Sequence, residues 1–69
     1  MDKLIVEGYL NELTDPAKRF FCLEVNNVNF IKTTFAFRIA GSRLEVLNKS
    51  SGFMVSYVYL EDIKQIEVS

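Results

Sequence analysis

The hydrophobic and polar positions in the last third of the chain form two β-rich segments around a polar break, which predicts a β-hairpin. The segments Arg43–Leu47 and Phe53–Leu60 are rich in strand-forming residues, and a cluster of turn formers at 48–52 separates them. A four-residue loop within this cluster would place Val46 opposite Val55, with apolar side chains matched on one side of the pleat. The predicted core of the hairpin comprises Leu44, Val46, Val55 and Tyr57.

The second strand of this hairpin is unusual because it is apolar on both faces. An antiparallel strand with one face in water should alternate apolar and polar residues. The face opposite the predicted core carries Met54, Val58 and Leu60, with Leu47 facing Met54 across the hairpin. Either another part of the chain covers this face, or a second subunit or a partner does.

The chain ends with a change of phase that predicts a corner and a short closing strand. Glu61 and Asp62 fit one turn of 3₁₀ helix that tucks Ile63 inward, and Ile66 and Val68 then resume alternation. This ending resembles the close of many small barrels of the SH3-like and Sm-like kind and of bacterial PH-like domains.

The N-terminal half is predicted to supply the remaining strands. Residues Lys3–Leu13 form the first, with Gly8 at a bulge or bend. The segment Thr14–Lys18 admits two interpretations. Asp-Pro within it favours a type I turn, which would give a hairpin into Phe20. The same residues could instead begin a short helix over Pro16–Cys22.

The next strands are predicted to flank a turn and then to bend. Arg19–Val25 is followed by Asn26-Asn27, which suits a two-residue turn and would place Leu23 opposite Phe30. Further along, apolar residues move from even to odd positions. That change of phase requires a bulge or sharp bend near Lys32–Thr34.

These elements predict an all-β fold. We expect a strongly bent, five-stranded antiparallel meander, closed or nearly closed as an SH3-like or Sm-like barrel, in one domain over residues 1–69. The alternative fold is an antiparallel sheet with one short helix near 16–22. No segment shows convincing helical periodicity.

Composition limits the chemistry that such a domain could perform. The 69 residues are 49% hydrophobic and carry a net charge of −1, with one Cys and no His. An intrachain disulfide and the usual zinc sets are therefore excluded, and nucleophilic catalysis would lack its usual base. We predict a protein that is not an enzyme and has no cofactor. With no transmembrane-length run and no signal peptide, the expected location is cytoplasmic, without a membrane partner.

The surplus apolar face suggests the function. So short a chain buries only about 60% of its unfolded surface, so that covering both faces of one strand is difficult. Large exposed apolar patches generally mark interfaces. We therefore predict an interaction or assembly module that forms a homo-oligomer or binds a partner protein through this face and an edge strand. The predicted contacts are Phe20, Met54, Val58 and Leu60.

Single-stranded nucleic-acid binding is the alternative function. Small barrels bind RNA or DNA when basic residues that hold phosphates are interleaved with aromatic residues that stack on bases. The negative net charge argues against this function. Its candidate residues are Lys18, Arg19, Phe20, Arg38 and Arg43.

Two smaller features have both a functional and a structural interpretation. Cys22 is either a redox or modification site or a half-buried strand residue, and the latter is favoured because unpaired Cys mostly acts as a small hydrophobe. Glu61 and Asp62 could bind a divalent cation together with Glu45 or Glu67, but a polar corner that caps a turn is favoured.

Overall fold

The chain folds into two three-stranded antiparallel sheets and a helix. The computed structural model describes residues 1–24 and 27–69. The strand order is β2-β1-β6 in the first sheet and β3-β4-β5 in the second. No strand of one sheet pairs with a strand of the other within these residues, so the predicted closed barrel is wrong although the mostly β architecture is confirmed. The elements are α1 (Lys3–Glu12), β1 (Phe20–Leu23), β2 (Val28–Ile31), β3 (Phe35–Ala40), β4 (Arg43–Asn48), β5 (Met54–Tyr59), a 3₁₀ turn (Leu60–Asp62) and β6 (Ile66–Val68).

The N-terminal segment is a helix, and its prediction as a strand is wrong. Val6, Leu10 and Leu13 recur at the i, i+4, i+7 spacing of one helix face. Val6 and Leu13 are buried, and Leu10 packs against the core. Gly8 lies on the exposed side in mid-helix and makes no bulge. The alternation expected of a strand also places Leu4, Val6 and Leu10 on one face, but it places Leu13 on the opposite face.

Local hydrogen bonds fix the start of this helix and the conformation of the segment after it. The Asp2 carboxylate accepts a hydrogen bond from the Leu4 amide at 2.8 Å, which makes Asp2 the N-cap. After the helix, the Lys18 amide donates to the Asp15 carbonyl, and the Asp15 carboxylate accepts from Ala17. These bonds form turns, so the alternative helix over 16–22 is wrong. The turns join α1 to β1 instead of forming a hairpin.

Phenylalanines join the two sheets across the core. The rings of Phe21 and Phe37 lie 4.8 Å apart between centroids, and Phe30 lies 5.3 Å from Phe35 and 6.0 Å from Phe37. Phe21 and Phe30 come from the first sheet, whereas Phe35 and Phe37 come from the second. The helix α1 packs against β6 and β3, next to this cluster. The buried core comprises Val6, Leu13, Phe21, Leu23, Phe30, Leu44, Val46, Leu60, Ile63 and Ile66.

The predicted bend near Lys32–Thr34 is confirmed, and it divides one run of β-forming residues between the two sheets. These three residues form a turn, in which the Thr34 amide donates to the Ile31 carbonyl at 3.1 Å. The preceding register differs from the prediction, because Leu23 faces Val28 and not Phe30. Of the predicted Asn26-Asn27 turn, Asn27 has a positive φ of 54°, and Asn26 and Val25 lie outside the described residues.

The predicted ending of the chain is confirmed. Leu60–Asp62 form the 3₁₀ turn, Ile63 is buried directly after it, and β6 follows as a short strand. Ile66 of β6 is buried and faces Leu23 of β1. The last strand therefore completes the first sheet, whereas the hairpin before it belongs to the second.

A β-bulge sets the faces of the second sheet. Leu47 faces Met54 as predicted, but Val46 faces Ser56, so Val55 is an extra residue on β5. The burial of Leu44 and Val46 is confirmed. Placing Val55 and Tyr57 in the core is wrong, because 51% and 47% of their surfaces are exposed.

Candidate protein-interaction face

The bulge turns a row of large side chains toward solvent. The second sheet buries its inner face against the first, and β5 is one of its two edges, paired only with β4. Each of five large apolar or aromatic side chains in and next to β5 is between 43% and 76% exposed. We call this the β5 surface; it comprises Phe53, Met54, Val55, Tyr57 and Tyr59.

A buried carboxylate lies beneath this surface. Glu45 faces Arg38 on one side and Tyr57 on the other in the strand ladder, so all three share the outer face of the sheet. Arg38 Nε donates to Glu45 Oε1 at 2.6 Å, and Arg43 Nη2 donates to Glu45 Oε2 at 2.5 Å. Only 3% of the Glu45 side chain is exposed. Both carboxylate oxygens are thereby bonded to a guanidinium, as a buried charge requires.

The electrostatics of this cluster favour a charged Glu45. The hydrogen bond from Arg38 lowers the pKa of Glu45 below its ordinary value, and the charges of Arg38 and Arg43 act in the same direction. Burial opposes them, since it disfavours the charged form. The two arginines and Glu45 therefore carry one net positive charge on the outer face of the sheet, beside the β5 surface, at neutral pH.

The cluster also orders the aromatic side chains above it. The Arg43 guanidinium carbon lies 4.9 Å from the centre of the Tyr57 ring, which is cation–π distance. The rings of Tyr57 and Tyr59 meet edge to face at 5.7 Å. A chain of contacts thus runs from Glu45 through Arg43 and Tyr57 to Tyr59. Tyr57 and Tyr59 thus contact the cluster and each other on the outer face of the sheet.

The four predicted contact residues do not form one surface. Met54 belongs to the β5 surface and is 44% exposed, whereas Phe20, 40% exposed, lies on β1 in the other sheet. Val58 faces Leu44 and packs against the core, and Leu60 is buried in it. The expected exposure of Val58 and Leu60 is therefore wrong. The bulge reverses the faces of the β5 residues that follow Val55 relative to the prediction. Tyr57 and Tyr59 therefore point outward and Val58 points inward.

The residues predicted for nucleic-acid binding are divided in the same way. Arg38 and Arg43 come together on the outer face of the second sheet, where both are bonded to Glu45. Lys18, Arg19 and Phe20 lie at the start of the first sheet, where the Arg19 and Phe20 amides donate to the Ser69 carbonyl. Arg38 and Arg43 share their face with the exposed rings of Tyr57 and Tyr59, whereas Lys18 and Arg19 adjoin the exposed ring of Phe20.

The surroundings of the two smaller candidates, Cys22 and the Glu61-Asp62 pair, favour a structural role over a chemical one. Cys22 is half-buried on β1; burial raises the pKa of its thiol, and the charges of Glu24 and Glu67 raise it further. Glu61 and Asp62 form the polar corner. Within residues 1–24 and 27–69, no three His, Cys, Asp or Glu side chains lie close enough together to hold a metal ion.

Sequence reasoning missed Glu45, Tyr57 and Tyr59 as members of one face. A signal for part of this was present in the β3–β4 hairpin. A two-residue turn at 41–42 places Arg38 directly opposite Glu45, on the same face of the hairpin. Opposite charges at such a cross-strand pair stabilise it, so this pair predicts a polar outer face. An outward Glu45 then leaves Leu44 and Val46 inward, as observed. Nothing in this pattern locates the bulge at Val55.

Comparisons with protein-family models, with curated proteins and with solved structures found no match to this chain. In the part of the chain that the structure describes, no helix is long and apolar enough to cross a membrane.

Proposed function

We propose that the protein is a non-enzymatic interaction module that binds a second copy of itself or a partner protein. Binding would use the β5 surface together with the free edge of β5. The observation that supports this most is the exposure of five large side chains along one edge strand. Contiguous apolar patches and unpaired strand edges are the two features that soluble proteins usually avoid or cover.

The composition of the surface fits a protein partner. Tyr and Arg are enriched among the residues that dominate binding energy at protein interfaces. Tyr57, Tyr59 and Arg43 supply both types, and their mutual contacts hold them in place. Side chains that are ordered before binding lose less conformational entropy when the complex forms. The buried Glu45 acts here as a positioning residue, because it fixes Arg43 beneath the tyrosines.

The edge of β5 adds a backbone component to the same interaction. An extended segment of a partner could pair with β5 and extend the β3-β4-β5 sheet by one strand. Main-chain hydrogen bonds would supply affinity, and the exposed side chains of β5 would supply selectivity. The bulge at Val55 interrupts regular pairing on the β4 side of this strand. Such a bulge restricts which partner strands fit, because it changes the local twist.

The solution mass tests this proposal, measured by light scattering over a tenfold range of concentration. A self-associating chain should become monomeric when Tyr57 or Val55 is replaced by Ser, with unchanged circular dichroism. The matched control is Leu4→Ser, because Leu4 is 74% exposed on α1, away from the β5 surface. Oligomers that persist in both β5 variants would contradict the proposed surface.

If the wild-type chain is monomeric at every concentration, the next test is whether it binds a different protein through the β5 surface. The wild-type chain should then retain a protein that the Tyr57→Ser chain does not retain and the Leu4→Ser chain does. Equal retention by all three chains, or none by any, would contradict the proposal.

Single-stranded nucleic-acid binding is the second candidate, favoured by the shared face of Arg38, Arg43 and the two tyrosines. Pairing with Glu45 reduces the charge available to a phosphate backbone. A fluorescence titration with short RNA and DNA oligomers at two salt concentrations separates the two functions. Salt-sensitive binding that is lost in Tyr57→Ser would favour nucleic acid. An absence of binding at low salt would remove this candidate.

A further inference from the structure

A second surface, distinct from the β5 surface, has the character of a small ligand site. An open groove of about 200 Å³ lies between the C-terminal end of α1 and strand β3. Its floor is apolar, since Leu13 is buried and Phe35 and Phe37 are half-buried core neighbours. Its lining includes two lysines and no acidic residue, although the whole chain has a net charge of −1. The lining residues are Leu10, Leu13, Thr14, Lys32, Phe35, Ala36, Phe37 and Lys49.

The two lysines are held at the rim by backbone carbonyls. Lys32 Nζ donates to the Leu13 carbonyl at 2.9 Å and to the Asp15 carbonyl at 2.8 Å. Lys49 Nζ donates to the Lys32 carbonyl at 2.8 Å. Both ammonium groups are therefore oriented by hydrogen bonds to backbone carbonyls. Their side-chain entropy is partly lost on folding and need not be lost again on binding.

The charges of these lysines lack a carboxylate partner in the described residues. Both ion pairs found there belong to Glu45, on the outer face of the second sheet. An ammonium group has three donor hydrogens, so Lys32 retains one and Lys49 retains two beyond their bonds to the carbonyls. Both lysines line the same groove, so an anion bound there would be attracted to both charges. The Leu13 carbonyl lies at the C-terminal end of α1, whose partial negative charge offsets part of the Lys32 charge but leaves both lysines without a neutralising carboxylate in the described residues.

We propose that this groove binds a small monocarboxylate that carries a short apolar chain. The carboxylate would accept hydrogen bonds from Lys32 and Lys49, and the chain would lie on Leu13, Phe35 and Phe37. The groove is open and smaller than the roughly 300–1,000 Å³ of pockets for drug-sized molecules, so only a small ligand would fit it. Apolar contact supplies affinity and the two ammonium groups select for negative charge. This inference is independent of the proposed protein–protein function.

The test is a ¹H–¹⁵N NMR titration of the full chain with three probes of equal chain length: hexanoate, hexanol and hexylammonium. Hexanoate should cause saturable shifts that centre on Leu10, Leu13, Phe35 and Phe37. Hexanol and hexylammonium should bind at least roughly tenfold more weakly, since each lacks the charge that the lysines recognise. Equal binding of the three probes would overturn the proposal. Hexanoate shifts that are absent or scattered over the surface would also overturn it.

The variant Lys49→Gln distinguishes the contribution of the lysine charges to ligand binding from that of the apolar residues. Lys49→Gln removes one ammonium group while leaving the bonds between Lys32 and the end of α1 in place. Hexanoate binding should weaken by roughly tenfold, the loss of one charge-assisted hydrogen bond, whereas hexanol binding should not change. An unchanged hexanoate affinity would overturn the role of the rim. The comparison of three probes uses the unaltered chain, so it decides the proposal even if Lys49→Gln unfolds.

Discussion

Val46 faces Ser56 across the β4–β5 ladder, although unbroken alternation along both strands would place Val55 opposite it. One inserted residue therefore decides which side chains of β5 meet the core and which meet water. Val58 lies inside and Tyr57 lies outside as a result. The proposed interaction surface is a direct consequence of this bulge.

The first prediction compares the same truncation on the two faces of β5. Val58→Ala should lower the free energy of unfolding by about 1–2 kcal/mol, because it removes methyl groups that pack on the core. Val55→Ala should change it by less than about 0.5 kcal/mol in the monomer, because Val55 is exposed. Urea denaturation followed by circular dichroism measures both values. If the two variants lowered the free energy of unfolding equally, Val55 and Val58 would not lie on opposite sides of the bulge as described.

The second prediction tests the helix that replaces the expected first strand. Gly8→Ala should raise the free energy of unfolding by about 0.5–1 kcal/mol, because Ala favours a helix interior more than Gly does. Space allows it, since a Cβ at this position meets no atom within 4 Å. Thermal denaturation should show the corresponding rise in Tm.

Gly41→Ala is the matched control for this helix test. It also has free space, but Gly41 has a φ of +60°, where a side chain is strained. The free energy of unfolding of Gly41→Ala should be about 1 kcal/mol lower than that of the wild type. A destabilised Gly8→Ala chain would contradict the helix.

The third prediction concerns acid pH and Glu45. Because Arg38 and Arg43 lower the pKa of Glu45 in the folded chain, the unfolded chain binds this proton more readily. The stabilisation is therefore complete above about pH 4.3, the ordinary pKa of Glu, and is lost as the pH falls through the lowered value. The difference in stability between wild type and Glu45→Gln should therefore be smaller at about pH 3 than at about pH 6, with the loss occurring below the ordinary pKa of Glu.

Urea denaturation across this pH range measures the contribution of Glu45. Glu67→Gln serves as the control, because Glu67 is exposed and makes no ion pair in the described residues. If Glu67→Gln changed the acid dependence as much as Glu45→Gln, the two arginines would not be the cause.

The fourth prediction concerns the reactivity of the single thiol. Burial, followed by the charges of Glu24 and Glu67, raises the pKa of Cys22, and the thiolate is the reactive form. Alkylation at about pH 8 should be several-fold slower in the folded chain than in urea. Glu67→Gln should accelerate the folded-state reaction, since one of the repelling charges is removed. A folded thiol that reacts as fast as the unfolded one would contradict this description of Cys22.

Local features of the sequence predicted the parts of the fold that have local causes. The phase change near Lys32–Thr34 marks a break, the 3₁₀ turn buries Ile63, and turn formers at 48–52 separate β4 from β5. The N-terminal helix was also encoded, in the Asp2 cap and in the spacing of apolar residues. It was misread because a short apolar segment fits both periods, and packing of α1 on β6 and β3 decides between them.

Local residue patterns alone predicted that the chain is mostly β, that turns lie near 32–34 and 48–52, and that β5 is apolar on both sides. Which side of β5 faces water is set by packing between distant parts of the chain. A bulge has no residue signature at Val55, and its position depends on how β4 and β5 pair while Leu44, Val46 and Val58 meet the opposite sheet. The same holds for the pair of lysines at the groove, since bonds between distant segments bring Lys32 and Lys49 together. Side chains that meet across many intervening residues are set by packing, which no local pattern records.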